Sequence, residues 1–117
     1  FRRVLFRSGV YYMDIQQAWN EQTNTWTVVL AGEIDIYNAP ELKSSLLQLV
    51  EKNKGNISID CADLKYIDST GLGVLISALR NVKEYDGDII IRNLQPYIYK
   101  IFSITGLDKV FTIEVQE

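Results

Sequence analysis

The feature that most constrains the fold is a helical pattern enclosed by two strand patterns. The segment NISIDCADL alternates apolar residues at Ile57, Ile59 and Cys61, and the segment DGDIIIRNL carries an unbroken apolar run. Between them, residues 72–82 repeat apolar side chains at helical spacing. A strand–helix–strand crossover of this size predicts a parallel pair of strands, and the unbroken run predicts burial on both faces.

The same two periods continue over the rest of the chain. MDIQQAW and TWTVVLAG predict two strands that form a hairpin, and IYNAPELKSSLLQLVEKNKG predicts a helix with Asn38 as its cap and Pro40 in its first turn. QPYIYKIFSITG predicts a short helix that ends at Gly106, before a last strand, KVFTIEV. The sequence therefore predicts a two-layer α/β domain, a small mixed β-sheet covered by helices, in the order ββαβαβαβ.

The first twelve residues differ from the rest. FRRVLFRSGVYY holds three arginines and no acid, and it precedes the first methionine, Met13. We interpret residues 1–12 as a non-native or disordered leader and residues 13–117 as a single domain, since 117 residues suit one ordinary core.

Composition excludes several classes of function. With one cysteine and no histidine, the chain has little material for a metal site, a disulfide or the usual general base, so we expect no metal, no cofactor and no enzyme activity. A single thiol suits a reducing, cytoplasmic setting. The net charge of −3 favours protein partners over nucleic acid or an anionic membrane surface.

The segment YIDSTGLGVLISAL raises the question of function. Either Asp68 or Ser69 can cap the helix that starts there. Gly71 and Gly73 follow in its opening turns, although each glycine costs up to about 1 kcal/mol relative to alanine inside a helix. Close packing on a neighbouring strand explains a bare backbone, and so does the approach of a partner to the Ser69 hydroxyl; the spacing fits both.

Three catalytic motifs fail to match this turn. A nucleophile elbow needs glycine two positions before the serine, where Ile67 stands. An aspartic-protease loop has one residue fewer between its aspartate and glycine, and a phosphate-binding loop needs a lysine that is missing here. The sequence therefore predicts no catalytic residue.

Three segments carry a resemblance to a known family: GEIDIYNAPELK, IDCADLKYIDSTGLGVL and ITGLDKVFTI. In this order and spacing, residues 13–117 resemble the bacterial anti-sigma factor antagonists, the stand-alone STAS domains. The resemblance implies that Ser69 is phosphorylated, with Thr70 as the alternative acceptor. It also implies two partners, a serine kinase that doubles as the anti-sigma factor and a metal-dependent serine phosphatase.

The resemblance further implies that the unphosphorylated form binds the anti-sigma factor and releases the sigma factor, and that phosphorylation ends this binding with little change in the domain. The partner-binding residues that it implies are Asp35, Asn38, Asp68, Thr70, Gly71, Leu72 and Gly73. For the first two, a turn residue and a helix cap are equally good interpretations. The competing function is a STAS subunit of a transporter or stress-signalling complex without a sigma-factor role.

Overall fold

The structure, a computed structural model, describes residues 2–6 and 11–114, with side chains for residues 13–114. Its strands are β1 (Arg2–Phe6), β2 (Tyr11–Asn20), β3 (Thr25–Ile34), β4 (Asn56–Ile67), β5 (Ile89–Arg92) and β6 (Thr112–Glu114). Its helices are α1 (Ala39–Lys52), α2 (Ser69–Lys83) and α3 (Pro96–Thr105), and a 3₁₀ turn follows at Leu107–Lys109. From β2 onward the order is ββαβαβαβ, which confirms the predicted α/β fold.

The strands form one mixed sheet in the order of the chain. The pairs β1–β2 and β2–β3 are antiparallel, whereas β3–β4, β4–β5 and β5–β6 are parallel. Each parallel pair is joined by a helix, so the predicted crossovers are present. Because all three crossovers step in the same direction along the sheet, a common right hand places the helices on one face.

The core lies between that face and the helices. Trp26, Val28 and Leu30 of β3 are buried, and the residues between them are exposed or half-buried. The helices contribute apolar stripes, as their periodicity predicted; their buried members include Leu42, Leu46, Leu49, Leu72, Leu75, Leu79, Val82, Ile98 and Phe102. No helix within residues 2–6 and 11–114 has the length and apolar character needed to cross a bilayer.

One local prediction is confirmed in part, and one is wrong. Asn38 is the N-cap residue of α1, as predicted, but its side chain makes no capping hydrogen bond, because its amide is used elsewhere. Ile90, predicted to be buried like its neighbours, is only half-buried, because it faces the side of the sheet opposite to Ile89 and Ile91.

The predicted leader spans residues 1–12. Residues 1 and 7–10 lie outside the described residues, residues 2–6 form β1, and residues 11 and 12 begin β2. Assignment of this segment as a non-native or disordered leader stays a prediction.

Candidate functional site

The candidate site lies where β3 and β4 end. Ile34 and Ile67 are neighbours in these two parallel strands, and the amide of Asp68 donates to the carbonyl of Ile34 at 3.2 Å. The chain leaves both strands at the same edge of the sheet, into the β3–α1 loop on one side and α2 on the other. The fold thus brings Asp35 and Asn38 beside the start of α2.

Asp68 is the cap of α2. Its Oδ1 accepts hydrogen bonds from the amides of Thr70 at 3.0 Å and Gly71 at 3.3 Å, and from the Thr70 hydroxyl. Its carbonyl accepts from the amide of Leu72 at 3.0 Å. One carboxylate therefore satisfies much of the first turn, where a negative charge also suits the helix dipole.

Ser69 is the first residue of α2, and its side chain is exposed. Within residues 13–114 its hydroxyl makes no hydrogen bond, in contrast to the hydroxyl of Thr70, which is bound to Asp68. The two adjacent hydroxyls are therefore not equivalent: one faces outward, and the other is part of the cap.

The two glycines of α2 lie in different surroundings. A Cβ on Gly71 would lie 2.7 Å from Cγ2 of Ile34 and from Cγ1 of Ile67, so this glycine allows α2 to pack closely on the strand ends. A Cβ on Gly73 would meet nothing within 4 Å, and this residue is exposed. Packing explains Gly71, whereas nothing in the described chain requires a glycine at position 73.

A set of hydrogen bonds fixes the β3–α1 loop. Oδ1 of Asn38 accepts from the amide of Asp35 at 2.9 Å, and its Nδ2 donates to the carbonyl of Glu33 at 2.7 Å. Oδ1 of Asp35 accepts from the amides of Tyr37 at 2.9 Å and Asn38 at 3.2 Å. The Asn38 side chain, 1% exposed, is thus an internal brace that sets the shape of the loop.

Not every residue predicted to contact a partner lies at the surface. Asn38, Gly71 and Leu72 are buried, so they position the site, whereas Gly73 is exposed and the side chains of Asp35, Asp68 and Thr70 are half-buried.

Two exposed residues of the site were missed in the sequence. Ile36 is 61% exposed and Tyr37 is 52% exposed, in the loop beside α2. The signal was the apolar pair itself, which interrupts an otherwise polar turn between Asp35 and Asn38.

Within the part of the chain that the structure describes, the site has no set of side chains that could bind a metal. Among the described residues, no group of three or more histidine, cysteine, aspartate or glutamate side chains could hold a metal ion. Cys61, in β4, is buried, and its burial followed by the charge of Asp60 raises the pKa of its thiol to about 12. It is therefore a protonated core residue at neutral pH.

A comparison with family models finds a match to the STAS domain over residues 17–117. The chain belongs to the STAS domain family. Among curated proteins, this STAS domain is similar to the anti-sigma-B factor antagonist of Bacillus subtilis (strain 168), with 36% identity over 104 residues that cover 89% of this chain and 94% of that protein. Its place in the family is with the anti-sigma factor antagonists, as the sequence motifs indicated.

Solved structures share its fold. An anti-sigma factor antagonist from Mycobacterium paratuberculosis has a TM-score of 0.73 and 24% identity, with 89% of this chain and 86% of that chain covered. The Bacillus cell fate determinant SpoIIAA in the phosphorylated form has a TM-score of 0.68 and 20% identity, with 88% and 93% covered. At these identities the likeness supports the fold of this STAS domain.

Proposed function

We propose that this STAS domain is an anti-sigma factor antagonist that is switched by phosphorylation of Ser69. In the unphosphorylated form it binds a serine-kinase anti-sigma factor, which then releases its sigma factor. Phosphorylation of Ser69 ends this binding. The observation that carries the proposal is the exposed Ser69 hydroxyl at the start of α2, beside a braced loop, in a chain similar to named antagonists.

The choice between two adjacent hydroxyls follows from their contacts. The Thr70 hydroxyl donates to the capping carboxylate of Asp68, so phosphorylation of Thr70 would remove this hydrogen bond and place a phosphate beside the carboxylate. The Ser69 hydroxyl is exposed and has no such contact within residues 13–114. A kinase can therefore reach Ser69 without opening the first turn of the helix, which favours Ser69 as the acceptor.

The surroundings of Ser69 explain how a phosphate would act. The amides of Thr70 and Gly71 already donate hydrogen bonds to the Asp68 carboxylate, so they are not available to a phosphate on Ser69. The first basic residue of α2 is Arg80, about three turns further along the helix. A phosphoserine, with a charge of about −1.5 to −2, would thus stay at the surface without a cation from its own helix.

A partner that packs on this surface would then have to bury an unpaired, multiply charged group. Burial of an unpaired charge is strongly unfavourable, whereas the same charge at an exposed helix start leaves the fold intact. The proposed switch is therefore steric and electrostatic, and the domain itself changes little.

In this role the domain is acted on by other proteins and binds them. The domain is a kinase substrate and a binding protein rather than an enzyme, and it uses no cofactor of its own. Its partners are the serine kinase that doubles as the anti-sigma factor and a metal-dependent serine phosphatase that restores the free hydroxyl. The exchange takes place in the cytoplasm, where sigma factors act.

Intact mass and site mapping test this function. The protein is incubated with ATP and the serine-kinase anti-sigma factor encoded nearest to it, in parallel with Ser69→Ala and the matched control Thr70→Val. We expect one added phosphate in the wild type and in Thr70→Val and none in Ser69→Ala. Absence of both phosphate transfer and kinase binding would contradict the proposal and favour a transporter-associated or stress-signalling STAS role.

A further inference from the structure

Two large apolar side chains stand exposed on the β3–α1 loop. Ile36 is 61% exposed and Tyr37 is 52% exposed. Single exposed apolar residues are common on protein surfaces, but two in succession in a short polar turn are unusual.

The loop that carries this pair is held in one shape. Asn38 and Asp35 close it with four side-chain hydrogen bonds to backbone groups between 2.7 and 3.2 Å, and the amide of Ala39 donates to the carbonyl of Asp35 at 2.9 Å. These bonds use backbone groups and the polar side chains of the loop. The apolar pair is therefore presented on an ordered backbone, which lowers the conformational cost of its burial by a partner.

The pair lies next to the phosphorylation site that we propose. Ile36 is two residues beyond Ile34, and Ser69 is two residues beyond Ile67, while Ile34 and Ile67 are register neighbours in parallel strands. Neighbouring strands are about 4.8 Å apart. A partner that covers Ser69 therefore meets the β3–α1 loop as well.

We propose that Ile36 and Tyr37 form the apolar anchor of the antagonist, which inserts into an apolar depression on the anti-sigma factor. This inference rests on the proposed function and adds a division of labour to it. The anchor contributes affinity, and Ser69 supplies the control.

The polar groups of the loop support this assignment. The Asp35 carboxylate accepts hydrogen bonds from two backbone amides of its own loop, and the Asp68 carboxylate accepts hydrogen bonds from two backbone amides of α2. Both acids are therefore hydrogen-bonded within the domain. The Asn38 amide is buried. An aliphatic side chain and an aromatic ring are thus the most exposed side chains of the loop, and buried aromatic and aliphatic anchors dominate the energetics of many interfaces.

The anchor also explains why a phosphate would be so disruptive. Apolar side chains bind well only where water is excluded, and a phosphate on the adjacent helix start holds water strongly. Burial of the anchor and hydration of the phosphate therefore compete for the same surface.

The test measures binding of the anti-sigma factor to a double variant, Ile36→Ser with Tyr37→Ser, by isothermal titration calorimetry. The matched control is Ile104→Ser with Tyr97→Ser, a similar exposed pair on α3, with exposures of 75% and 50%. Thermal unfolding verifies that both variants fold, and analytical ultracentrifugation gives the oligomeric state of each protein.

We expect the anchor variant to bind at least about tenfold more weakly than the wild type, and the control to bind like the wild type. Equal binding by the anchor variant would overturn the inference and leave the proposed function standing. Failure of the wild type itself to bind would overturn both. A wild-type dimer that the anchor variant abolishes would show that a second copy, and not the anti-sigma factor, is the occupant.

Discussion

At the scale of single residues, the two glycines of α2 illustrate what a sequence can and cannot reveal. Their spacing marked both as unusual inside a helix, but it fitted two explanations equally well. The structure separates them, because a Cβ at position 71 meets Ile34 and Ile67 whereas a Cβ at position 73 meets nothing. Such a difference depends on which strand lies under the helix, so no local pattern contains it.

Asn38 is a second residue whose role depends on the path of the chain. An asparagine one residue before a helix is a good capping residue, and the sequence predicted that function. The side-chain amide instead donates from Nδ2 to the carbonyl of Glu33 in β3 and accepts at Oδ1 from the backbone amide of Asp35, just beyond β3. The path of the turn determines which backbone groups at a strand end lack partners, and the local sequence does not specify that path.

Substitution of Gly73 tests whether a partner requires its bare backbone. Gly73→Ala should raise the free energy of unfolding by about 0.5–1 kcal/mol, because alanine is the better helix former and its methyl group meets no neighbour. It should also weaken binding of the anti-sigma factor. Urea unfolding and calorimetric titration measure the two effects.

Gly71→Ala is the control within the same helix. Its methyl group would lie 2.7 Å from two isoleucine carbons, so we expect a loss of about 1–3 kcal/mol in stability. A Gly73→Ala protein that is more stable and binds as well as the wild type would contradict the role we give to this glycine.

At the scale of elements, sequence patterns predicted the three α-helices and the strands from β2 onward. Apolar stripes at 3.6-residue spacing predicted α1, α2 and α3, alternation predicted β3 and β4, and an unbroken apolar run predicted β5. The ends were less accurate: the predicted strand NISIDCADL continues to Ile67, because β4 keeps pairing with β3 through two register shifts. Pairing of this kind is long-range, so the sequence of β4 alone does not define where it stops.

Asp88 joins three elements, and this contact should depend on pH. Burial acts to raise the pKa of its carboxyl, but hydrogen bonds from the Thr112 hydroxyl and the Ile89 amide, together with the charge of Lys83, lower it below the usual value. Its stabilising effect is therefore present above the unfolded pKa of about 3.9 and is lost as the pH falls through the lower folded value. Since 35% of the side chain is exposed, solvent screening keeps the effect small.

The prediction is that Asp88→Asn is less stable than the wild type at pH 7 and that the difference shrinks below about pH 4. Urea unfolding at pH 7, 5 and 3 measures it. Thr112→Val keeps Asp88 but removes the hydrogen bond from the Thr112 hydroxyl to its carboxylate. The free energy of unfolding of this variant should therefore fall less in acid than that of the wild type. A difference that stays constant or grows at acid pH would contradict the assigned contacts.

At the scale of the whole molecule, the fold brings two separate chain segments together at one edge of the sheet. Parallel strands β3 and β4 end together, and the β3–α1 loop and α2 begin there, so one surface combines a hydroxyl with an apolar pair. The sequence predicted the fold, whereas the assignment of Ser69 as the acceptor was implied by the resemblance of a contiguous motif and stays a prediction. It missed Ile36 and Tyr37 as surface residues, because exposure is a property of the assembled layers.

In the proposed switch, one phosphate on Ser69 separates the bound from the free state. Calorimetric titration of the anti-sigma factor with the unphosphorylated protein and with the same protein phosphorylated at Ser69 tests it most directly. We expect measurable binding for the first and an affinity lower by at least about a hundredfold for the second, a difference of about 2.7 kcal/mol. Equal affinities for the two forms would contradict it.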